Sequence, residues 1–318
     1  MLNLSESEAL FGSILDGAFS DAEIADILID MADRRETAAE IAGAAMAMRA
    51  RMIRVAAPDN AIDVCGTGGD GQHSLNVSTA VAIVVAACEV PVAKHGNRAA
   101  SSKAGGADTL EALGLNLDRA SETAEATLAD LGICFLFAQK HHPALARLAP
   151  IRKSLGRRTI FNLLGPLANP AGLRRQLVGV SHPDFIARHA EALKILGVER
   201  SLTVSGAEGL DEISISGATN YVAQGFELSE REIKPVDAGL PNHPPNALKG
   251  GDAAFNANAL RRLLMGEAGA YRDAVLLNAA GALMVAGEVD NLRDGLEEAR
   301  EAIDKGLAKA LLDCWVAF

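Results

Sequence analysis

Asp63-Val64-Cys65-Gly66-Thr67-Gly68-Gly69-Asp70-Gly71 is the stretch on which the reading of this chain turns. An apolar run at 61–65 leads into a segment where four of the six residues from Gly66 to Gly71 are glycine. Glycine takes up positive φ at no steric cost and lets backbone N–H groups come close to an anion. Asn76-Val77-Ser78-Thr79 follows and predicts a capped helix start. The free N–H groups and positive dipole end of such a helix suit a phosphate. Gly66, Gly68 and Gly71 also satisfy G-x-G-x-x-G, with Glu89 near the place of a ribose-binding acid. The dinucleotide reading fails on spacing, because Gln72 to Val77 separate the third glycine from the helix it should enter. Asp70 would repel a pyrophosphate unless a cation came with it, and no lysine stands in the Walker A place. A tight glycine turn without a ligand is the alternative.

Working outward, short apolar runs alternate with helical patterns. Strands are expected at 61–65, 90–93, 133–137, 176–180 and 201–204. Helices are expected at 78–88, 107–113, 121–131, 144–155 and 185–196. This alternation predicts a mostly parallel sheet covered by helices. The less regular 221–249, with four prolines, reads as strands and loop within the same α/β domain.

The first fifty-odd residues read as helix only. Ser5 with Glu8, Ser20 with Glu23 and Thr37 with Glu40 each fit a capping box. Ile24, Ile27, Leu28 and Met31 follow helical spacing. Ala57-Pro58-Asp59-Asn60 looks like a linker. The expected fold is therefore α/β: a small N-terminal α-helical domain, 1–58, and a larger α/β domain, 61–318, with helices from about 144–172 packing on the first.

The chain has 318 residues, 49% of them apolar, which is enough to bury a large core and excludes disorder as the main state. A net charge of −11 argues against a broad nucleic-acid or anionic-membrane surface. Four scattered cysteines form no C-x-x-C, so a reducing compartment is expected. The longest apolar run, 80–88, falls short of the roughly 20 residues that span a bilayer. The first basic residue is Arg34, so the basic region of a signal peptide is missing and a cytoplasmic location is expected.

The next strand ends in Lys94-His95-Gly96-Asn97-Arg98-Ala99-Ala100-Ser101-Ser102. At the end of a parallel strand these residues share a rim with the glycine loop, where open α/β sheets bind ligands. In an acidic chain, cations gathered there call for an anionic partner.

GTGGDG (66–71), NVST (76–79), KHGNRAASS (94–102), GGADTLEALG (105–114), HPA (142–144), IRKSLGRRTIFNLLGPLANPA (151–171) and GLDEIS (209–214) together resemble the anthranilate phosphoribosyltransferase family, in its order and spacing. The resemblance implies a nucleoside phosphorylase/phosphoribosyltransferase-like fold and a homodimer formed through the helical domain. It implies transfer of phosphoribosyl from phosphoribosyl pyrophosphate to anthranilate, with release of pyrophosphate, in tryptophan biosynthesis. Gly66, Gly69 and Asp70 would hold the donor, with Ser74 where the family often has Thr. Asn76, Val77, Ser78 and Thr79 fall on its donor-binding element, the segment from Lys94 to Ser102 wraps the phosphates, and Gly106 stands where the family usually has Ser. Anthranilate would meet Gly66, Asn97 and Arg152. Asp211 and Glu212 match an acidic pair that binds magnesium, two ions being expected with substrate bound and Ser78 sharing one. No residue is assigned as acid or base, and by themselves His95, His141 and His142 read as structural histidines rather than catalysts. Gln139 stands where the family commonly has Pro, beside the acceptor channel.

Two rivals share the fold. A pyrimidine nucleoside phosphorylase would lack the intact Lys94-to-Arg98 run, and a nucleic-acid-binding paralogue without catalysis would carry a basic surface and a degraded glycine loop.

Overall fold

A computed structural model describes residues 1–99 and 102–318. Ala100 and Ser101, two of the expected phosphate contacts, lie outside the described residues. The chain opens with α1 (Leu4–Leu15), α2 (Asp21–Arg34) and α3 (Ala38–Arg49). There follow β1 (Ile62–Gly66), α4 (Val77–Ala87), β2 (Val92–Gly96), α5 (Gly106–Leu113), α6 (Leu117–Glu122), α7 (Ala124–Leu131) and β3 (Ile133–Phe137). Next come α8 (Ala138–His141), α9 (Leu148–Leu155), β4 (Arg175–Gly179), α10 (Ile186–Ile195), β5 (Arg200–Gly206) and β6 (Thr219–Gln224). The chain closes on α11 (Ala253–Leu264), α12 (Ala270–Ala286), α13 (Leu292–Asp304) and α14 (Leu307–Ala317).

The strands form one sheet in the order β3-β2-β1-β4-β5-β6, parallel except for the antiparallel edge pair β5–β6. The order reverses between β1 and β4. A crevice opens at such a switch point, outside the carboxyl ends of the strands. In β4, Leu177 joins the core under α4 and α12, while Val178 joins the core of the helical region, as the period-2 alternation of a strand requires.

α1–α3 do not bury their apolar faces alone. Phe11, Leu28 and Ile41 share a core with Leu148 and Ile151 of α9, with Phe161 and Leu167, and with Leu193 of α10. Phe11 meets Phe161 edge-on, with ring centroids 5.8 Å apart. Among the described residues, no helix is long and apolar enough to cross a membrane.

Several local expectations need correction. The first capping box is Asn3 with Glu6, not Ser5 with Glu8: Asn3 accepts the Glu6 N–H and Glu6 accepts the Asn3 N–H, each at 2.9 Å. Asn3 offers the same chemistry two residues earlier, so Ser5 falls inside the helix. The boxes at Ser20 and Thr37 form as expected. The single helix expected at 121–131 is two, α6 and α7, broken at Thr123. Asn76 stands at the N-cap position of α4 but makes no capping bond, because its side chain is drawn elsewhere.

Candidate active site

The glycine loop leaves β1 with Gly68, Gly69 and Gly71 all at positive φ, between +67° and +75°. Thr67 donates to the Gly179 carbonyl at 2.9 Å, and Gly68 donates to Asp211 Oδ2 at 2.7 Å. Asp211 passes so close that a Cβ on Gly66 would strike its carboxylate, and one on Gly179 would strike its backbone oxygen. Close approach, rather than turn geometry, therefore requires glycine at both positions. The sequence reading missed Gly179, which lay hidden inside a strand pattern.

Glu212 does at α4 what Asp211 does at the loop. Its Oε1 accepts the Ser78 backbone N–H at 3.2 Å. The two acids thus rest on backbone N–H donors, one from the glycine loop and one from the start of α4. Both are held well above the usual carboxylate range, first by burial and then by a neighbouring carboxylate: Asp70 beside Asp211, and Asp211 beside Glu212. Asp70 Oδ1 takes the Gln72 N–H at 3.0 Å, while its buried Oδ2 has no partner among the described residues. Three crowded carboxylates with an orphan oxygen fit a hard divalent cation. Among the described residues they are not gathered closely enough to hold an ion by themselves.

Lys94 is 3% exposed and donates to the Val64 carbonyl at 2.7 Å and to Ser78 Oγ at 3.3 Å. Its charge lies between Asp63 and Glu212 and favours the ionised form of both. Fully buried Asp63, missed by the sequence reading, accepts the His95 N–H at 3.2 Å and Asn169 Nδ2 at 2.8 Å. Asn169 also donates to the Ala93 carbonyl at 2.8 Å, so the 151–171 motif clamps β1 to β2.

The remaining expected donor contacts divide. Ser74 is half-buried and bridges to Lys249 through its backbone. Val77 is core, so only its backbone belongs to the crevice. Thr79 Oγ1 is buried without a partner among the described residues, and a Cβ on Gly106 would come within 3.0 Å of it. Gly96 lies against Phe135, whose ring would meet a Cβ at 2.7 Å. Asn97 is exposed, and its Oδ1 accepts the Arg98 N–H at 2.8 Å and Gln139 Nε2 at 3.4 Å. Ala99 donates to Asp108 Oδ2 at 2.9 Å. Ser102 Oγ donates to the Ala104 carbonyl at 3.3 Å.

Two side chains of this segment have close partners of their own. Arg98 pairs with Asp108 at 2.9 Å and Glu111 at 2.8 Å and stacks over Phe137, so it fastens the segment to α5. His95 points to the face opposite Lys94, as strand alternation dictates. Its Nδ1 meets the Gly165 carbonyl at 2.9 Å and its ring lies 5.2 Å from that of His142. Burial, with His142 beside it, lowers His95 to about 3.

Arg152, on α9, is half-buried over the Phe161 ring at 5.4 Å. Burial lowers its pKa, and among the described residues no nearby acid offsets the effect. A half-buried guanidinium in such surroundings calls for an anionic ligand.

Residues 1–52 match the helical bundle domain of a glycosyl transferase family, and residues 58–309 its a/b domain. Fold and domain matches thus define a class, a glycosyl transferase with its crevice at the switch point of the sheet. The anthranilate phosphoribosyltransferase of Novosphingobium aromaticivorans is 65% identical over 317 residues, 99% of this chain and 96% of that protein. The one from Sphingopyxis alaskensis is 61% identical over 319 residues, 100% of this chain and 96% of that protein. A solved anthranilate phosphoribosyltransferase from Thermus thermophilus gives a TM-score of 0.92 at 42% identity, over 100% of this chain and 95% of the other. The Saccharomyces cerevisiae enzyme in complex with PRPP and Mg gives 0.89 at 27% identity, over 99% and 92%. The chain belongs to the anthranilate phosphoribosyltransferase family.

Proposed function

We propose that this chain transfers the phosphoribosyl group of phosphoribosyl pyrophosphate to the amino group of anthranilate, releasing pyrophosphate, as a step of tryptophan biosynthesis. One observation carries the reading: Asp211 and Glu212 sit on the Gly68 and Ser78 N–H groups. A polyphosphate and its cations would exchange for those contacts one for one. When phosphate oxygens take the two N–H groups, both carboxylates are released as oxygen ligands.

Asp70, Asp211, Glu212 and the Ser78 hydroxyl are the residues that would hold magnesium, two ions with the donor bound. When bound, magnesium neutralises charge on the departing pyrophosphate. The chain's own residues do the rest by position and electrostatics. The Gly66–Gly71 loop and the start of α4 present N–H groups to the donor. Lys94 adds a buried positive charge. Arg152 holds the anthranilate carboxylate with its planar fork, and Asn97 and the backbone at Gly66 complete the acceptor site. With the acceptor so fixed, its weakly basic nitrogen needs no general base, and inversion at C1 follows from attack opposite the leaving group. His95 and His142, lowered by burial to about 3 and about 4, stay neutral at physiological pH, which leaves Arg152 as the cation offered to the acceptor carboxylate.

Residues 1–58 act as a helical domain and 61–318 as the catalytic domain, on this reading. The helical domain also forms a homodimer, supported by exposed Ile53 and half-buried Leu10 and Ile27. Sedimentation at micromolar concentration tests this, and a monomer contradicts it. The four free cysteines accord with a cytoplasmic site of action. The activity itself is tested by incubating the chain with both substrates and magnesium and identifying phosphoribosylated anthranilate by mass. Its absence, with pyrimidine nucleoside cleaved instead, would favour the phosphorylase reading.

A further inference from the structure

Helix α12 touches both walls of the donor crevice from behind. Asn278, fully buried in the middle of α12, grips Ile213, the residue after Glu212. Its Oδ1 accepts the Ile213 N–H at 2.8 Å, and its Nδ2 donates to the Ile213 carbonyl at 2.9 Å and to the Ala274 carbonyl at 2.9 Å. One turn on, a Cβ at Gly281 would meet Ile213 Cδ1 at 2.7 Å, so glycine lets the Ile213 side chain seat on the helix.

At the other end of the same helix, Tyr271 OH donates to the Asn76 carbonyl at 3.1 Å. Asn76 stands at the start of α4, two residues before Ser78. Its side chain is tied in turn to Thr109 at 2.5 Å, Asn256 at 2.9 Å and Ala104 at 3.2 Å. Tyr271 and Asn278 are seven residues apart in sequence. That spacing puts them on one face of the helix, about 10.5 Å apart along its axis.

We propose that α12 is a positioning strut: through Tyr271 and Asn278 it fixes the separation between the Asp211-Glu212 pair and the Ser78 end of α4, and so sets the fit of the cation-bridged donor. This rests on the proposed function. Neither residue touches substrate. Each holds the backbone beside a group that does. A bidentate amide grip on both polar groups of Ile213 leaves the two peptide planes flanking it little freedom to rotate, and the acid pair inherits that order.

The test compares full-length wild type with Tyr271→Phe, which deletes one hydroxyl, and with Asn278→Ala. Donor binding is titrated calorimetrically with and without magnesium, and anthranilate KM and the thermal midpoint are measured alongside. Losing one hydrogen bond in Tyr271→Phe weakens magnesium-dependent donor binding about 3- to 10-fold, and Asn278→Ala weakens it more than about 10-fold. Magnesium-independent donor binding and anthranilate KM stay at wild-type values. Equal losses with and without magnesium, or a Tyr271→Phe that binds donor as wild type does, overturn the proposal. If Asn278→Ala does not fold, Tyr271→Phe decides alone. Wild-type protein that shows no magnesium-dependent donor binding overturns the functional reading and the strut with it, a result distinct from variants that match a competent wild type.

Discussion

Gly66 and Gly179 are register partners at the carboxyl ends of β1 and β4, and Asp211 crosses both. The adjacent strand ends are bare so that an acidic residue from the loop after β5 can lie against the sheet and reach the Gly68 N–H. A side chain at either position would push the acid pair outward. We predict that Gly179→Ala destabilises the protein by about 1–3 kcal/mol, the usual cost of overpacking. Turnover should fall by more than tenfold, because Asp211 is displaced. Denaturant melts and steady-state kinetics check both. Unchanged kinetics would show that Asp211 tolerates the shift.

The acid pair stores repulsion. Asp211 and Glu212 are raised by burial and by neighbouring carboxylates. Replacing them with Asn and Gln removes the charge and keeps an oxygen to accept each N–H. The doubly substituted protein should be more stable than wild type without magnesium, by roughly 1–2 kcal/mol, while its turnover nearly vanishes. Thermal melts with chelator, set beside the assay, give the answer. A variant less stable than wild type would mean that the carboxylates hold the fold.

Arg152→Ala should separate the two substrates. Loss of a charge-assisted fork on a carboxylate costs roughly 2–4 kcal/mol, or about 30- to 1000-fold in kcat/KM for anthranilate. Lys should substitute poorly, since a point charge lacks the planar geometry. Donor binding, measured by calorimetry, should hardly change. A collapse of donor binding with intact anthranilate kinetics would contradict the role given to Arg152.

Three buried histidines set an acid limit to stability. His95 is lowered to about 3, and His142 and His189 to about 4, all chiefly by burial, from an ordinary 6.5. Below 6.5 the unfolded chain takes up protons that the folded histidines refuse, so their contribution is full above that pH and falls as pH drops toward 4, outweighing the opposite gain from Asp211 and Glu212, whose raised carboxyls hold protons in the folded chain over the same window. Thermal midpoints measured across this window should decline on acidification. His189→Gln should flatten the decline, because His189 makes one bond, to the Leu163 carbonyl at 3.1 Å, and lies outside the crevice. An unchanged slope would place the acid sensitivity elsewhere.

Much of the architecture is legible in the sequence because it is local. The third strand, β3, runs over Ile133–Phe137 as its apolar run predicts, and the boxes at Ser20 and Thr37 need only residues three apart. What escapes depends on distant partners. Asn76 reads as a helix cap, but Thr109 and Asn256, which claim its oxygen, lie 33 and 180 residues away. Arg98 reads as a phosphate ligand until Asp108 and Glu111 are brought beside it. Lys94 and His95 look alike in a basic run, and only strand alternation sends them to opposite faces. A glycine inside a strand pattern is itself a sign of close backbone approach, and Gly179 carries that sign.

The most direct measurement follows the native fluorescence of anthranilate in the presence of the purified chain, phosphoribosyl pyrophosphate and magnesium. The signal should decay only when all three are present, excess chelator should stop the decay, and fresh magnesium should restore it. Steady fluorescence with all components present, or undiminished decay in chelator, would contradict the proposed transfer.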